Sequence, residues 1–444
     1  MPRQNFLSIV LVGAVSILCW QNSQGAKPKD EMMELYGQFV DAVEQVEANY
    51  VRPVSRKDLL EGALRGMLAD LDPHSSYFSE SDWKQFRKQI EGSFTGIGVT
   101  IDIDPETERL KVIAPIVGSP AYEAGIMAGD QILEVNGEST EGWTREKSVE
   151  KLQGKSGSTV KLTVLHPNAE KTETISIRRA IIELPSVLGD LRKPDDSWDF
   201  MLDKANKIGY IRITSFIQNT ADDLKKVLAE LKEQGMKGLI LDLRDDPGGL
   251  LSAAVEVSDL FVEEGTIVST KGRNTREKIY EAEKEGTYTD FPMVVLINRH
   301  SASASEIVAA CLQDHKRAVV VGERSYGKGS VQNILPLDNG DAVLKLTVAT
   351  YWRPSGKNIH RFKNAKESDE WGVKPDPGLK VELDEDEYKA WALMRRDRDL
   401  ISSHNQPKSP PKESRIGPPN DRQLDKALAV LKEKMKSEGA TARK

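Results

Sequence analysis

The feature that most constrains the fold is a regular alternation of two kinds of segment between about residues 207 and 322. Short, almost entirely apolar runs, such as GLILDL (238–243) and PMVVLIN (292–298), alternate with segments whose apolar residues recur every three or four positions. Runs of the first kind are typical of strands buried on both faces, and segments of the second kind are typical of amphipathic helices. The alternation therefore predicts an α/β layer with a largely parallel sheet.

The individual elements of this layer follow from the same patterns. Its expected helices are 219–235, 250–262 and 304–314, and its expected strands are 208–216, 238–243, 292–298 and 318–323. A hairpin follows over 331–352, with its turn at Asn339-Gly340.

Other regions of the 444-residue chain differ in pattern and divide it into several parts. Residues 26–90 read as helical around a capped turn, DPHSSYFSESD, and 91–183 read as a small β-rich domain with two short helical pieces, SPAYEAG and TREKSVEKLQG. The α/β core is expected at 184–380. Residues 381–444 are interpreted as a charged, Pro-rich linker followed by an amphipathic packing helix.

The N-terminus predicts export. A single cation, Arg3, precedes 15 uncharged and mostly apolar residues (6–20), and small residues follow, so we expect a signal peptide over 1–25 with cleavage near Gly25. The alternative is an uncleaved anchor, although the run is shorter than the ~20 residues that a spanning helix needs. The expected location is the periplasm or cell envelope. After cleavage Cys311 is the only cysteine, so no intramolecular disulfide is expected.

The net charge and the missing motifs argue against two classes of function. The formal net charge of −7 disfavours a nucleic-acid partner, which normally meets a basic surface. No H-E-x-x-H or C-x-x-C spacing occurs, so no metal is predicted.

Three segments of the α/β part could carry chemistry. In DLRDDPGGLL (242–251), Gly248-Gly249 could offer backbone amides to an anion, or could form an ordinary strand-to-helix turn. In RHSASASE (299–306), Ser303 lies at a strand-to-helix junction. It could be a helix cap completed by Glu306, or a nucleophile beside free amides.

The third segment is GERSYGKGSVQ (322–332). Lys328 lies between two glycines and could act as a general base if burial keeps it neutral, with Gln332 on the same side of an extended segment. The alternatives are a surface lysine in a glycine turn and, more weakly, a phosphate loop, whose full spacing is absent. No histidine is well placed to be the base, and His300 in particular is expected to be a bystander.

Together these segments resemble the bacterial carboxyl-terminal processing peptidases, also called tail-specific proteases. The resemblance is carried, in order, by GML…DLDPHSSYF, GIGV…SPAYEAGIMAGDQILEVNG, ILDLRDDPGGLL, SASASEIVAACLQD and VGERSYGKGSVQ, and it covers roughly residues 35 to 380. It implies a crotonase-like (ClpP/crotonase-type) α/β peptidase core with an inserted PDZ domain and no cofactor. The family often has Asn-Asn where this chain has Asp245-Asp246.

The resemblance also implies roles for particular residues. Ser303 would be the nucleophile, Lys328 its base and Gln332 the partner that orients the lysine. The amides of Ala304 and of Gly248 or Gly249 would hold the oxyanion. The PDZ domain would capture a substrate C-terminus with one loop, in which Gly96, Ile97 and Gly98 supply backbone amides and Phe94 and Ile97 supply apolar contacts. The helical piece EKSVEKLQ (146–153) would line the other side.

The resulting expectation is an exported serine endopeptidase that recognises protein C-termini. The competing hypothesis is a catalytically silent PDZ scaffold, and a serine–histidine peptidase is disfavoured because no histidine is suitably placed. Protein substrates with accessible C-termini are the expected partners. An adaptor protein and a homo-oligomer are left open.

Overall fold

The computed structural model describes residues 27–90, 92–337, 342–399 and 420–441. The predicted signal peptide, the turn at Asn339-Gly340 and most of the predicted linker lie outside the described residues. The chain forms two compact units. Of the described residues, one unit contains those up to Ser79 together with those of Ile334–Leu346, and the other contains those of Glu80–Asn333 together with those from Thr347 onward.

The first unit contains two helices and a short antiparallel pairing. Helix α1 is Lys27–Asn49, helix α2 is Arg56–Ala69, and strand β1, Ser76–Phe78, pairs with Val343–Lys345. The predicted capped turn is confirmed, because Asp72 Oδ1 accepts the amides of His74 and Ser75 at 2.7 and 2.9 Å. Strand β1 within that turn was not predicted.

Helix α1 is helical as its spacing predicts, but its apolar side chains are not buried within this unit. Met33 is 70% exposed, Leu35 is 61% exposed and Tyr36 is 56% exposed. The periodicity therefore gave the correct secondary structure without identifying a buried face.

The β-rich region belongs to the second unit. Its main sheet has the order β3-β4-β5-β7-β8, with β6 beside β5, and β2 pairs separately with β9. The sheet surrounds a small apolar core that includes Leu110, Ile132 and Leu162, all 0% exposed. The elements are α3 (Glu80–Ile90), β2 (Ser93–Gly96), β3 (Val99–Ile103), β4 (Leu110–Pro115), α4 (Pro120–Glu123), β5 (Gln131–Val135), β6 (Glu138–Ser139), α5 (Arg145–Leu152), β7 (Thr159–Leu165), β8 (Glu173–Arg178) and β9 (Ala180–Glu183).

The predicted α/β layer is confirmed. Four parallel strands lie in the order β14-β15-β18-β19, and two short strands, β10 and β13, pair antiparallel with β14. The elements are β10 (Val187–Leu188), β11 (Leu191–Arg192), β12 (Trp198–Asp199), β13 (Met201–Asp203), β14 (Ile208–Ile213), α6 (Thr220–Glu233), β15 (Gly238–Asp242), α7 (Leu251–Asp259), β18 (Met293–Ile297), α8 (Ala304–Asp314) and β19 (Ala318–Gly322).

Both faces of this sheet are covered, which explains why its strands are apolar throughout. Residues such as Leu239 and Leu241 pack against α6, α7 and α8. Their neighbours Ile240 and Leu296 face the other way and pack against Leu431 of the last helix, α10 (Arg422–Thr441). The C-terminal amphipathic helix is therefore a packing helix, as predicted.

Several elements of the second unit were missed. Strands β16 (Thr266–Lys271) and β17 (Lys278–Glu281) form an antiparallel pair, and β16 also pairs with residues 350–352. Helix α9, Glu385–Asp399, lies where only a charged linker was expected. The predicted hairpin strands are present as β20 (Ser330–Leu337) and β21 (Ala342–Trp352), and each contributes residues to both units.

Among the described residues, no helix combines the length and the apolar character needed to cross a membrane.

Candidate active site

Ser303 lies at the junction between β18 and α8, as its sequence position predicts. Its φ and ψ are 57° and −111°, and left-handed φ values are uncommon for a residue other than glycine and are frequent at functional sites. The residue is 7% exposed, and it directly precedes Ala304, the first residue of the helix. The geometry is that of a strained serine beside the amides that open a helix.

The other polar residues of this segment have structural roles. Ser301 donates its hydroxyl to Leu243 O at 2.7 Å and accepts the amide of Asn298, so it ties the two loops that follow β15 and β18. Ser305 lies in the first helical turn and donates to Asp246 O at 3.0 Å. The ring of His300 stacks obliquely on Tyr388 with 5.0 Å between ring centroids.

The glycine turn after β15 lies directly against Ser303. A methyl group placed on Gly248 would come within 2.8 Å of Ser303 Cβ and 2.8 Å of Ala304 N. The amide of Ala302 also donates to Asp246 O at 3.0 Å, which holds the two segments together. The fold therefore brings the predicted nucleophile and the predicted glycine turn to one place.

The two glycine amides are not equivalent. Gly248 N donates to the side chain of Asp246 at 2.8 Å, so this amide is already engaged. For Gly249, the part of the chain that the structure describes contains no acceptor of its amide, and the residue is exposed. Of the two predicted glycine donors, Gly249 is the one whose N–H is available to a ligand.

Asp246 is the less usual of the two aspartates that precede this turn. It is fully buried, and its Oδ2 has no hydrogen-bond partner among the described residues. Burial raises the pKa of Asp246 well above its ordinary value, and the Gly248 amide opposes this only in part. Burial therefore favours the uncharged acid form of this carboxyl group.

The two glycines around Lys328 are required by packing. A side chain on Gly329 would lie 2.2 Å from His360 N, and one on Gly327, whose φ is +87°, would lie 2.7 Å from Arg361 Cβ. The segment 359–361 thus lies directly against the loop. The two glycines are therefore needed to admit this neighbouring backbone.

Glu306 joins the loop of Lys328 to Ser303. Its Oε2 accepts the amides of Ser303 and Lys328, each at 2.8 Å. Its Oε1 accepts Gly327 N at 2.6 Å and Ser325 Oγ at 2.5 Å. The sequence predicted only the capping-box part of this arrangement, and the link to the lysine loop could not be read from spacing.

Gln332 lies on β20, at the end of the same segment. Its Nε2 donates to Ser330 Oγ at 2.9 Å and to Thr347 Oγ1 at 3.2 Å. These two bonds fix the orientation of the carboxamide. Its oxygen remains as the acceptor that a lysine amine would use.

The predicted peptide-binding loop connects β2 to β3. Ile97 O accepts Ala121 N, and Gly98 O accepts both Ile116 N and the hydroxyl of Ser119. Because a trans peptide points its N–H away from its C=O, the amides that follow these carbonyls, those of Gly98 and Val99, are directed away from these partners.

Two details of that loop revise the sequence-based expectation. The side chain of Ile97 is 1% exposed and packs in the domain core, so it cannot supply the expected apolar contact. Phe94 is partly exposed, and a methyl group on Gly96 would meet its ring at 3.4 Å and the backbone of Gln153 at 3.7 Å. Phe94 therefore lies close to the end of α5. Val99 was missed.

A cavity of about 910 Å³ lies between the β-rich region and the α/β core. Its lining includes Thr100 on the edge strand β3 and, at the core, Asp245 beside the glycine turn. Arg212 also lines it; its side chain is 7% exposed, and its Nε has no hydrogen-bond partner among the described residues. Nearby, Tyr122 donates to Asp196 at 2.9 Å across the same boundary.

Within the described ranges, no group of histidine, cysteine and carboxylate side chains could hold a metal ion. Cys311 is buried in the core face of α8, and burial raises the pKa of its thiol to about 12. It is a packing residue, as its position in the helix predicts.

Comparison with known proteins agrees with this geometry. Residues 207–377 match peptidase family S41, residues 85–165 match the PDZ domain, and residues 18–81 match the N-terminal domain of the activating protease CtpB. The carboxy-terminal-processing protease of Bartonella bacilliformis is 36% identical over 400 residues, which are 89% of this chain and 85% of that protein. The chain belongs to peptidase family S41.

Further similarities agree with membership of this family. The carboxy-terminal processing protease CtpA of Bacillus subtilis is 34% identical over 381 residues, covering 85% of this chain and 76% of that protein. A solved structure from Bacteroides fragilis, described as an S41 protease, is 18% identical with a TM-score of 0.50, and the match covers 87% of this chain and 91% of that one. This S41 peptidase is thus a serine-type protease with a PDZ domain.

Proposed function

We propose that this S41 peptidase is an exported endopeptidase that captures protein C-termini in its PDZ domain and cleaves with a serine–lysine pair on a crotonase-like core. The observation that carries the proposal is the meeting of three segments at Ser303. The backbone of Ser303 is strained, and the glycine turn lies directly against it. The carboxylate of Glu306 accepts the amides of both Ser303 and Lys328.

In the proposed reaction, Ser303 Oγ attacks the scissile carbonyl while the neutral amine of Lys328 takes the hydroxyl proton. The oxyanion is held by the amides of Ala304 and Gly249. Lys328 then protonates the leaving amine, and the C–N bond breaks to give an acyl-enzyme. Water hydrolyses the ester with the lysine again acting as base, and Gln332 holds the lysine amine throughout.

Substrate capture is proposed at the groove between β3 and α5. A peptide would add to the free edge of β3, and its terminal carboxylate would be bound by the amides of Gly98 and Val99 with Phe94 beside it. The chain upstream of that terminus would cross the cavity that runs from Thr100 to Asp245 on its way to Ser303. The names of the curated relatives, which are carboxy-terminal processing proteases, support this class of substrate.

Export is proposed from the N-terminal sequence. The apolar segment 6–20 supports a signal that directs the protein to the periplasm or cell envelope, and mass determination of the mature N-terminus would test it. An adaptor protein and a homo-oligomer remain predictions. The exposed apolar side chains of α1 offer a surface to which an adaptor protein or a second copy of the chain could bind.

The proposal is tested by cleavage of an unstructured protein that ends in apolar residues. Wild type should cleave it, and Ser303→Ala and Lys328→Ala should not, although both should still bind a peptide with the same C-terminus. Lys225→Ala, which removes an exposed lysine from α6, is the matched control and should remain active. Equal cleavage by all four proteins would refute the mechanism, whereas peptide binding by an inactive wild type would favour a PDZ scaffold.

A further inference from the structure

Glu306 makes more hydrogen bonds than a helix cap requires. Its side chain is completely buried, yet four donors converge on its two oxygens at 2.5 to 2.8 Å. A capping box needs only one of them, the amide of Ser303. The other three belong to Ser325, Gly327 and Lys328, on a loop that is distant in sequence.

The chemistry of these donors fixes which form of the carboxyl group fits the site. Three are backbone amides, which can only donate, and the fourth is the Ser325 hydroxyl, whose oxygen already accepts Val373 N. An ionised carboxylate accepts all four donors at once. A protonated Glu306 would turn its own hydrogen toward one of these groups, and only the Ser325 hydroxyl could accept it, by giving up its own bond to Glu306.

We propose that ionised Glu306 is a positioning residue of the peptidase, which sets the placement of Lys328 relative to Ser303 by holding the backbone amides of both, and that protonation of Glu306 releases the lysine loop and lowers turnover. This inference rests on the proposed serine–lysine mechanism. Glu306 does not touch the substrate and acts through Ser303 and Lys328, two of the four residues that donate to it.

Protonation of this group lies within an accessible pH range. Burial raises the pKa of Glu306 to about 7, although the hydrogen bonds from Ser325 and from the three amides oppose the rise. The carboxylate is therefore the main form above this pH, and it is lost as the pH falls through about 7. The proposed effect belongs to the acid limb of the activity profile.

No charged side chain in the described part of the chain forms an ion pair with Glu306. On its own helix, Asp314 pairs with Arg353, and on the lysine loop, Glu323 pairs with Arg299. The remaining charged or titratable groups of the elements packed against it are Arg324, Tyr326 and Lys328 on the loop, His360 and Arg361 on the segment beneath it, and Asp245, Asp246 and His300 near the start of α8.

The test is the pH dependence of kcat in Ser325→Ala. This change removes one donor to Glu306 without altering either catalytic side chain, so the pKa of Glu306 should rise and the acid limb should move to higher pH by about one unit. Ser258→Ala is the matched control, because it removes an equally buried hydroxyl from α7 and should leave the limb in place. Thermal unfolding at each pH separates loss of turnover from loss of fold.

A second variant removes the charge itself. Glu306→Gln offers one acceptor oxygen in place of two, so kcat should fall at least tenfold while affinity for a C-terminal peptide is retained, and Glu306→Asp should recover less activity than wild type. If Glu306→Gln does not fold, the Ser325→Ala profile decides alone. An acid limb in Ser325→Ala that superimposes on wild type would overturn the role of Glu306. Activity retained in Ser303→Ala and Lys328→Ala would instead overturn the proposed mechanism itself.

Discussion

Replacing Gly248 by alanine should stop turnover without abolishing peptide capture. The φ of Gly248 is +97°, a conformation that residues with a side chain rarely adopt. Its added methyl group would lie 2.6 Å from Ala302 O, 2.8 Å from Ala304 N and 2.8 Å from Ser303 Cβ. All three contacts are with the backbone or Cβ of the nucleophile segment, which cannot move aside as a flexible side chain would.

The expected size of the effect follows from what must shift. Relief of the clash requires the glycine turn and the start of α8 to separate, which displaces the proposed oxyanion amides of Ala304 and Gly249. Loss of one such donor typically lowers kcat by roughly 10²–10³-fold. Backbone strain at this position adds about 1–3 kcal/mol of destabilisation, so the fold should survive in a protein of ordinary stability.

The assay compares kcat, peptide affinity and thermal unfolding in Gly248→Ala and in a matched control. Gly235→Ala introduces the same kind of strain, since its φ is +77°, but its methyl group would meet nothing within 4 Å. The control should lose some stability and keep its turnover. A Gly248→Ala variant whose kcat lies within tenfold of wild type would show that the glycine turn does not contribute to the reacting site.

Three further outcomes follow from the structure. Asp246→Asn should stabilise the protein, and the gain should grow as the pH rises above about 4, by up to roughly 1.4 kcal/mol per pH unit. The reason is that the raised pKa of Asp246 costs the folded state stability over this range, whereas asparagine cannot ionise. A gain in the free energy of unfolding that is the same at pH 4 and at pH 8 would contradict this. Leu431→Ala should lower the free energy of unfolding by about 2–5 kcal/mol in a denaturant titration, because Leu431 is fully buried between α10 and the sheet. Tyr122→Phe should cost about 1 kcal/mol and leave peptide affinity unchanged, because it removes the hydroxyl that donates to Asp196; a large loss of affinity would show that this contact controls the PDZ domain.

The sequence predicted those parts of the fold in which burial alone determines the pattern. The helix that contains Cys311 was predicted over 304–314 and begins and ends there, because its core face is continuous and Ser303 marks its start. Helix α9 was missed because most of its residues are charged, and only Trp391 and Arg395 are buried. Its position is set by buried polar contacts, such as the bonds of Arg395 to Asp190, and residue spacing does not reveal these.

The candidate site shows the same limit at shorter range. The positions of Ser303 and the glycine turn follow from strand-to-helix junctions, which local sequence can indicate. The reason for Gly327 and Gly329, which is the close approach of residues 359–361, depends on a segment that is distant in sequence. The four bonds to Glu306 likewise depend on the loop of Lys328, and spacing within RHSASASE predicted only one of them.

Two buried carboxyl groups on either side of Ser303 have different environments, and the number of donors around each explains the difference. Glu306 receives four hydrogen bonds, which keep its pKa near 7 despite complete burial. Asp246 accepts one backbone amide on its side chain, so desolvation dominates and raises its pKa well above the ordinary value. During the proposed attack, negative charge develops at the oxyanion beside the glycine turn. Because burial favours its uncharged form, Asp246 adds less repulsion there than an ordinary aspartate would, so the aspartate that departs from the related family's asparagine remains compatible with catalysis as long as it stays buried.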